Sequence, residues 1–124
     1  MALYTEKILH HARSPKKFAR IADPDVQAEE FNPLCGDRVR VELRIGENGD
    51  VIEAGFSGEM CAIAKGSASI LLESIEGMNR AAIGAISDAQ VLESLGGPIE
   101  SARVKCALLP LAALRGAIRG ASSC

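Results

Sequence analysis

The sequence predicts an α+β domain in which a small antiparallel sheet packs against several helices. Three observations carry this prediction. A period-two alternation runs from Arg38 to Ile45, an Asn-Gly turn follows at Asn48-Gly49, and the later apolar segments read as helices. The 124 residues suit a single domain spanning 1–124, large enough to bury a core without disulfide staples, and no linker or repeat interrupts them.

The elements follow in order. Tyr4 to His11 reads as a short helix, with Leu3, Ile8 and His11 on one side and Ser14-Pro15 ending it. Phe18 to Leu34 has two prolines and few periodic apolar positions, so it is expected to be loop. Val39, Val41, Leu43 and Ile45 then alternate with Arg38, Arg40, Glu42 and Arg44, the pattern of a strand with one wet face. The turn at Glu47-Asn48-Gly49-Asp50 returns the chain into a second strand from Val51 to Phe56. From Ala62 to Ser74 the composition is helical, with Ile63, Ile70 and Leu71 on the face expected to be buried. Ser87-Asp88-Ala89-Gln90 resembles a helix start, and Gly96-Gly97-Pro98 stops that helix after Leu95. A last helix is expected from about Cys106 to Ile118, with Pro110 inside its first turn, where a missing N–H costs little.

Composition narrows the function classes. The formal net charge is −2 and only four aromatic side chains are present, so neither a basic surface nor stacking platforms for nucleic acid are expected. No apolar run approaches the ~20 residues needed to cross a bilayer. Glu6 and Lys7 fall where a signal peptide needs its apolar stretch, so a cytoplasmic protein with reduced thiols is expected. With no Trp, the core must come from Ile, Leu, Val and Ala.

The chemistry-bearing residues are Cys35 and Asp37 in Asn32-Pro33-Leu34-Cys35-Gly36-Asp37, then Cys61 and Cys106. Their spacing, Cys-x25-Cys-x44-Cys, fits no local zinc-finger pattern, and dispersed cysteines ordinarily serve as small apolar core residues. Context points the other way. Cys35 sits in a Pro-to-Gly turn beside a charged Asp37, where an apolar role fits badly. Cys61 and Cys106 fall at expected helix starts, where unsatisfied N–H groups favour thiolate. Three thiolates and a carboxylate would repel one another unless a cation lay among them, and together they make a four-ligand set for zinc or an iron–sulfur cluster. Lys65, one helical turn after Cys61, and Arg103 and Lys105, flanking Cys106, are candidates for charge compensation or partner contact, against the plain reading of solvated cations. His10 and His11 are ligands by type only, and packing or surface roles suit them better. Ser67 and Ser69 have no base nearby in sequence, and Cys124 lies in a terminal tail.

These motifs resemble the iron–sulfur cluster assembly scaffold family, of the IscU and NifU N-terminal type with motifs closest to the SufU type. The Asn-Pro-x-Cys-Gly-Asp motif is matched at every defined position by residues 32–37. Cys61-Ala62-Ile63 with Ser67-Ala68-Ser69 is similar to the second motif, and Ala102-Arg103-Val104-Lys105-Cys106-Ala107 to the SufU form of the third. The likeness runs from about Leu3 to Gly120. It implies a SufE/IscU-like fold and a site of Cys35, Asp37, Cys61 and Cys106 holding a [2Fe-2S] cluster or Zn2+. It also implies sulfur from a cysteine desulfurase, delivery to iron–sulfur acceptor proteins, no membrane or nucleic-acid partner, and a monomer or weak dimer. In the sulfur-relay branch, a zinc-dependent sulfurtransferase, Cys35 would be the persulfide acceptor. Lys105 stands where the IscU type has His, and the IscU chaperone-binding stretch and the SufU insertion are both missing. The chain thus carries SufU-like motif residues on an IscU-like length.

Overall fold

In the computed structural model, which describes residues 5–33 and 36–122, β2 (Asp37–Ile45) is the centre of the sheet. Val39, Val41 and Leu43 are wholly buried, as the alternation predicts. The Asn48-Gly49 turn, with Gly49 at φ +88°, returns the chain into β3 (Val51–Ser57), antiparallel to β2 with Val41 opposite Phe56.

Two expectations fail here. The stretch expected to be loop contains β1 (Val26–Asn32), which pairs antiparallel with the other side of β2 to give the order β1-β2-β3. Its inward positions are Val26, Ala28, Glu30 and Asn32, while Phe31 points outward and is 57% exposed. A strand with one strong apolar residue on its inner face carries no alternation to read. Glu42 is the second failure, for it is buried instead of lying on a wet face. Residues 14–25 run along the free edge of β3, where the Phe56 N–H donates to the Lys17 carbonyl, and then turn over the outer face. There Arg20 Nε and the Ile21 N–H donate to Glu42 Oε1 at 3.0 and 3.2 Å, and Arg40 Nε donates to Oε2 at 3.4 Å.

The helices close the inner face. α1 (Glu6–Arg13) is capped by Thr5, whose Oγ1 accepts from the Ile8 N–H. It buries Ile8 and His11; Leu3 and Tyr4 lie outside the described residues. α2 (Ala62–Ile75) is buried on most of its circumference, Ile63, Ile70 and Leu71 included. Its small residues permit close approach: a Cβ on Gly66 would stand 2.7 Å from the Ile8 carbonyl oxygen. A short α3 (Arg80–Gly84), not anticipated from the sequence, is capped by Asn79. α4 (Asp88–Glu93) starts where expected, and Ser87 and Gln90 form a capping box there. A 3-10 turn at Ser101–Arg103 then leads into α5 (Val104–Ser122), which lies across β1 and β2. The helix therefore begins before Cys106, and Pro110 is an interior residue with its ring buried. Because Pro110 has no N–H, it cannot donate to the Cys106 carbonyl four residues back. Among the described residues, no helix is long and apolar enough to cross a membrane.

Candidate metal and sulfur site

Asp37, Cys61 and Cys106 converge although they are far apart in sequence. Asp37 opens β2 after a turn in which the Gly36 N–H donates to the Asn32 carbonyl, with Gly36 at φ +77°. Gly58 then brings the end of β3 back against the start of β2. Its φ is +126°, and a Cβ there would stand 2.1 Å from the Arg38 carbonyl oxygen, so only glycine fits. This approach lets the Arg38 N–H donate to the Glu59 carbonyl at 2.7 Å and the Cys61 N–H donate to Asp37 Oδ1 at 3.0 Å. Cys61 is the N-cap of α2, as expected, and is half-buried. Cys106 lies in the first turn of α5, 3% exposed. Ser67, buried in α2, donates to the Ala107 carbonyl at 2.6 Å and so staples the two helices beside Cys106.

One ligand atom from each of Asp37, Cys61 and Cys106 lies within 4.8 Å of the other two. Asp37 is 5% exposed, and its Oδ2 is buried with no hydrogen-bond partner among the described residues. A buried carboxylate oxygen without a donor costs about 1–3 kcal/mol or more, so its position calls for a positive charge. The donor set fits that requirement. Two sulfurs and an oxygen at these separations suit zinc, whose tetrahedral ligands stand about 3.7 Å apart, or an iron of a thiolate-held cluster.

The expectation that helix starts make these thiols thiolates is corrected at Cys61. Burial pushes its thiol above the ordinary value, and the adjacent Asp37 carboxylate adds to the rise. The amides of Ala64 and Ile63 pull downward without prevailing. The protein's own groups thus favour the thiol, and a cation among them is what reverses the balance.

The remaining sequence candidates fall as follows. Cys35, with Leu34, lies outside the described residues, as does Cys124. Lys65 Nζ sits 4.7 Å from the centroid of the Phe18 ring, a cation–π contact. Arg103 is half-buried in the 3-10 turn, and Lys105 is exposed immediately before Cys106. His10 is exposed, whereas His11 is buried with Nδ1 2.6 Å from Ser69 Oγ, which also accepts the Lys16 N–H. The fold therefore does place a base against Ser69, but Ser69 has no exposed surface and the pair joins α1 to α2. Sequence reasoning missed Gly58 and Ser67 as positioning residues. An isolated glycine just past a strand end was the signal for the first; nothing local marks the second.

Comparison with known proteins bears on the family and the fold. The model of the NifU-like N terminal domain matches residues 3–121. The chain belongs to this family. Among curated NifU-domain relatives, the iron-sulfur cluster assembly scaffold protein IscU of Haemophilus influenzae is 28% identical over 118 residues, covering 93% of this chain and 92% of the relative. The zinc-dependent sulfurtransferase SufU of Bacillus subtilis is 36% identical over 76 residues, covering 60% of this chain and 50% of the relative. The bifunctional protein NifU/MnmA of Rubrobacter xylanophilus is 31% identical over 111 residues, 90% of this chain but only 23% of that longer protein. A crystal structure of a NifU-like protein from Brucella abortus superimposes with a TM-score of 0.80 at 23% identity, covering 98% of this chain and 95% of the other, which establishes the α+β fold.

Proposed function

We propose that this protein is an iron–sulfur cluster assembly scaffold, receiving sulfur from a cysteine desulfurase and holding a nascent [2Fe-2S] cluster for transfer to acceptor proteins. The observation that carries the reading is the buried Asp37 Oδ2, without a hydrogen-bond partner among the described residues and grouped with the Cys61 and Cys106 thiols. The IscU relative named above, matched over nearly its whole length, supports the same assignment. Cys35, two residues before Asp37 in the matched motif, completes the ligand set as the fourth donor.

The cluster is cargo, so the site must hold it and let it go. Cys61, the N-cap of α2, and Cys106, in the first turn of α5, sit at the starts of two helices joined by the Ser67 staple and provide the firm side. Asp37 is the releasable donor, because an oxygen among thiolates is the weakest ligand for a thiophilic metal. The thiol ligands require a reducing compartment such as the cytoplasm.

The partial SufU match supports a second reading, in which Zn2+ holds the site and Cys35 takes persulfide sulfur. Its thiolate would attack the outer sulfur of the desulfurase persulfide, breaking that S–S bond and returning the desulfurase cysteine as thiolate. Anaerobic titration with ferrous iron, a cysteine desulfurase and cysteine distinguishes the two. The scaffold builds a visible-absorbing cluster with two irons per chain, and Cys61→Ser or Cys106→Ser abolishes it while the circular dichroism stays native. A zinc-loaded protein that gains persulfide on Cys35 and never the chromophore would overturn the scaffold reading in favour of the relay.

A further inference from the structure

The Cys61–Cys106 pair carries a chemistry that ligand holding does not use. Their sulfurs lie within 4.8 Å of each other, and Cys61 packs against the apolar cluster that contains Cys106. Both backbones are pinned: the Cys61 N–H by Asp37 Oδ1, and the residue after Cys106 by the Ser67 hydroxyl. Rotation about one Cα–Cβ bond moves a cysteine sulfur by about 3 Å, the size of step needed to reach the ~2.05 Å of a disulfide. Half-buried Cys61 can meet a small oxidant, whereas Cys106, 3% exposed, is shielded from one. An accessible sulfur backed by a shielded one is the arrangement of an attacking and a resolving cysteine.

We propose that Cys61 and Cys106 form a redox latch, closed by a peroxide into a disulfide that removes two ligands from the site. Cys61 sulfur attacks one peroxide oxygen while its thiol proton passes, by way of the adjacent Asp37 carboxylate, to the leaving hydroxide; the O–O bond breaks, and a sulfenic acid and one water result. Cys106 sulfur then attacks the sulfenic sulfur, the S–S bond forms, the S–O bond breaks, and a second water leaves. The two sulfurs together lose two electrons and the peroxide gains them; a dithiol reductant reverses the change. That closure withdraws the protein from cluster assembly rests on the function proposed above, but the closure itself rests on the geometry.

The test uses the full chain with Cys35→Ser and Cys124→Ser, which leaves Cys61 and Cys106 as its only thiols. After metal removal, hydrogen peroxide treatment and alkylation, trypsin separates the two cysteines by cutting at Lys65 and Lys105. The expected product is a monomer whose Cys61 and Cys106 peptides are joined, lighter by two hydrogen atoms and reopened by dithiothreitol. With Cys106→Ser added, dimedone should trap a sulfenic acid on Cys61. Sulfinic acids or chain-to-chain links in place of the joined peptide would overturn the latch. In the wild-type chain, zinc loaded beforehand should slow the link by at least about tenfold, since a bound thiolate is withheld from oxidant. A link that forms equally fast with zinc leaves the latch standing and counts against the metal site; tight zinc binding with no link sinks the latch alone.

Discussion

Strand β2 buries two carboxylates five residues apart, and the protein treats them in opposite ways. Glu42 is 1% exposed and receives Arg20, Arg40 and the Ile21 amide, so both of its oxygens are partnered. Asp37 is 5% exposed, and one of its oxygens takes the Cys61 amide while the other takes nothing from the described residues. Burial is the same and satisfaction is not. A carboxylate whose every lone pair is answered by protein serves the fold, here by tying residues 14–25 to the sheet. One left open toward two thiols is placed for a partner that the described residues do not supply.

Substitutions at the two acids should separate these roles. Glu42→Ala leaves the buried side of Arg40 and the Ile21 amide without their acceptor, and should cost about 3 kcal/mol in urea unfolding while zinc affinity stays unchanged. A loss below ~1 kcal/mol would make Glu42 as dispensable as a surface charge. Asp37→Ala should do the reverse. It forfeits the Cys61 amide bond but relieves the stranded oxygen, so metal-free stability should move by less than about 1 kcal/mol. Zinc affinity in competition with a chelator should drop about tenfold or more. Large unfolding on Asp37→Ala would reassign the acid to the fold and favour a structural docking module.

The smallest expected effect is on pH dependence. Burial pushes the Glu42 carboxyl up, but the hydrogen bonds from Arg20, the Ile21 amide and Arg40 outweigh it and hold it below the usual glutamate range. Its contribution is present above the unfolded value of about 4.3 and is lost as pH falls through the lower folded value. His11 is lowered mainly by burial, with Glu73 opposing. Its contribution is likewise present above the unfolded value of about 6.5 and declines as pH falls below it. Metal-free melting curves should therefore weaken in two acid steps, and His11→Gln should remove only the upper one.

The sequence showed most where neighbours along the chain share one environment. Val39, Val41 and Leu43 announce β2 because a sheet face and a period of two are the same fact, and Ser87 with Gln90 announces α4 because a capping box is local chemistry. β1 was illegible because its inner face offers Ala28, Glu30 and Asn32 to α5, which accepts small and polar residues there. Glu42 read as wet because periodicity reports which face a residue occupies, and not what later covers that face.

By itself the sequence determined the α+β class, the hairpin, the helix starts at Cys61 and Ser87, and the family that the motifs around Cys35, Asp37, Cys61 and Cys106 signal. Tertiary structure alone decided that Asp37, Cys61 and Cys106 meet, since the meeting depends on Gly58 passing against Arg38 and on Ser67 joining α2 to α5. It also decided which of two buried acids is closed and which is open. Donor types and local propensity are properties of residues and short segments; proximity and hydrogen-bond satisfaction are properties of pairs, and here the pairs are brought together only by packing.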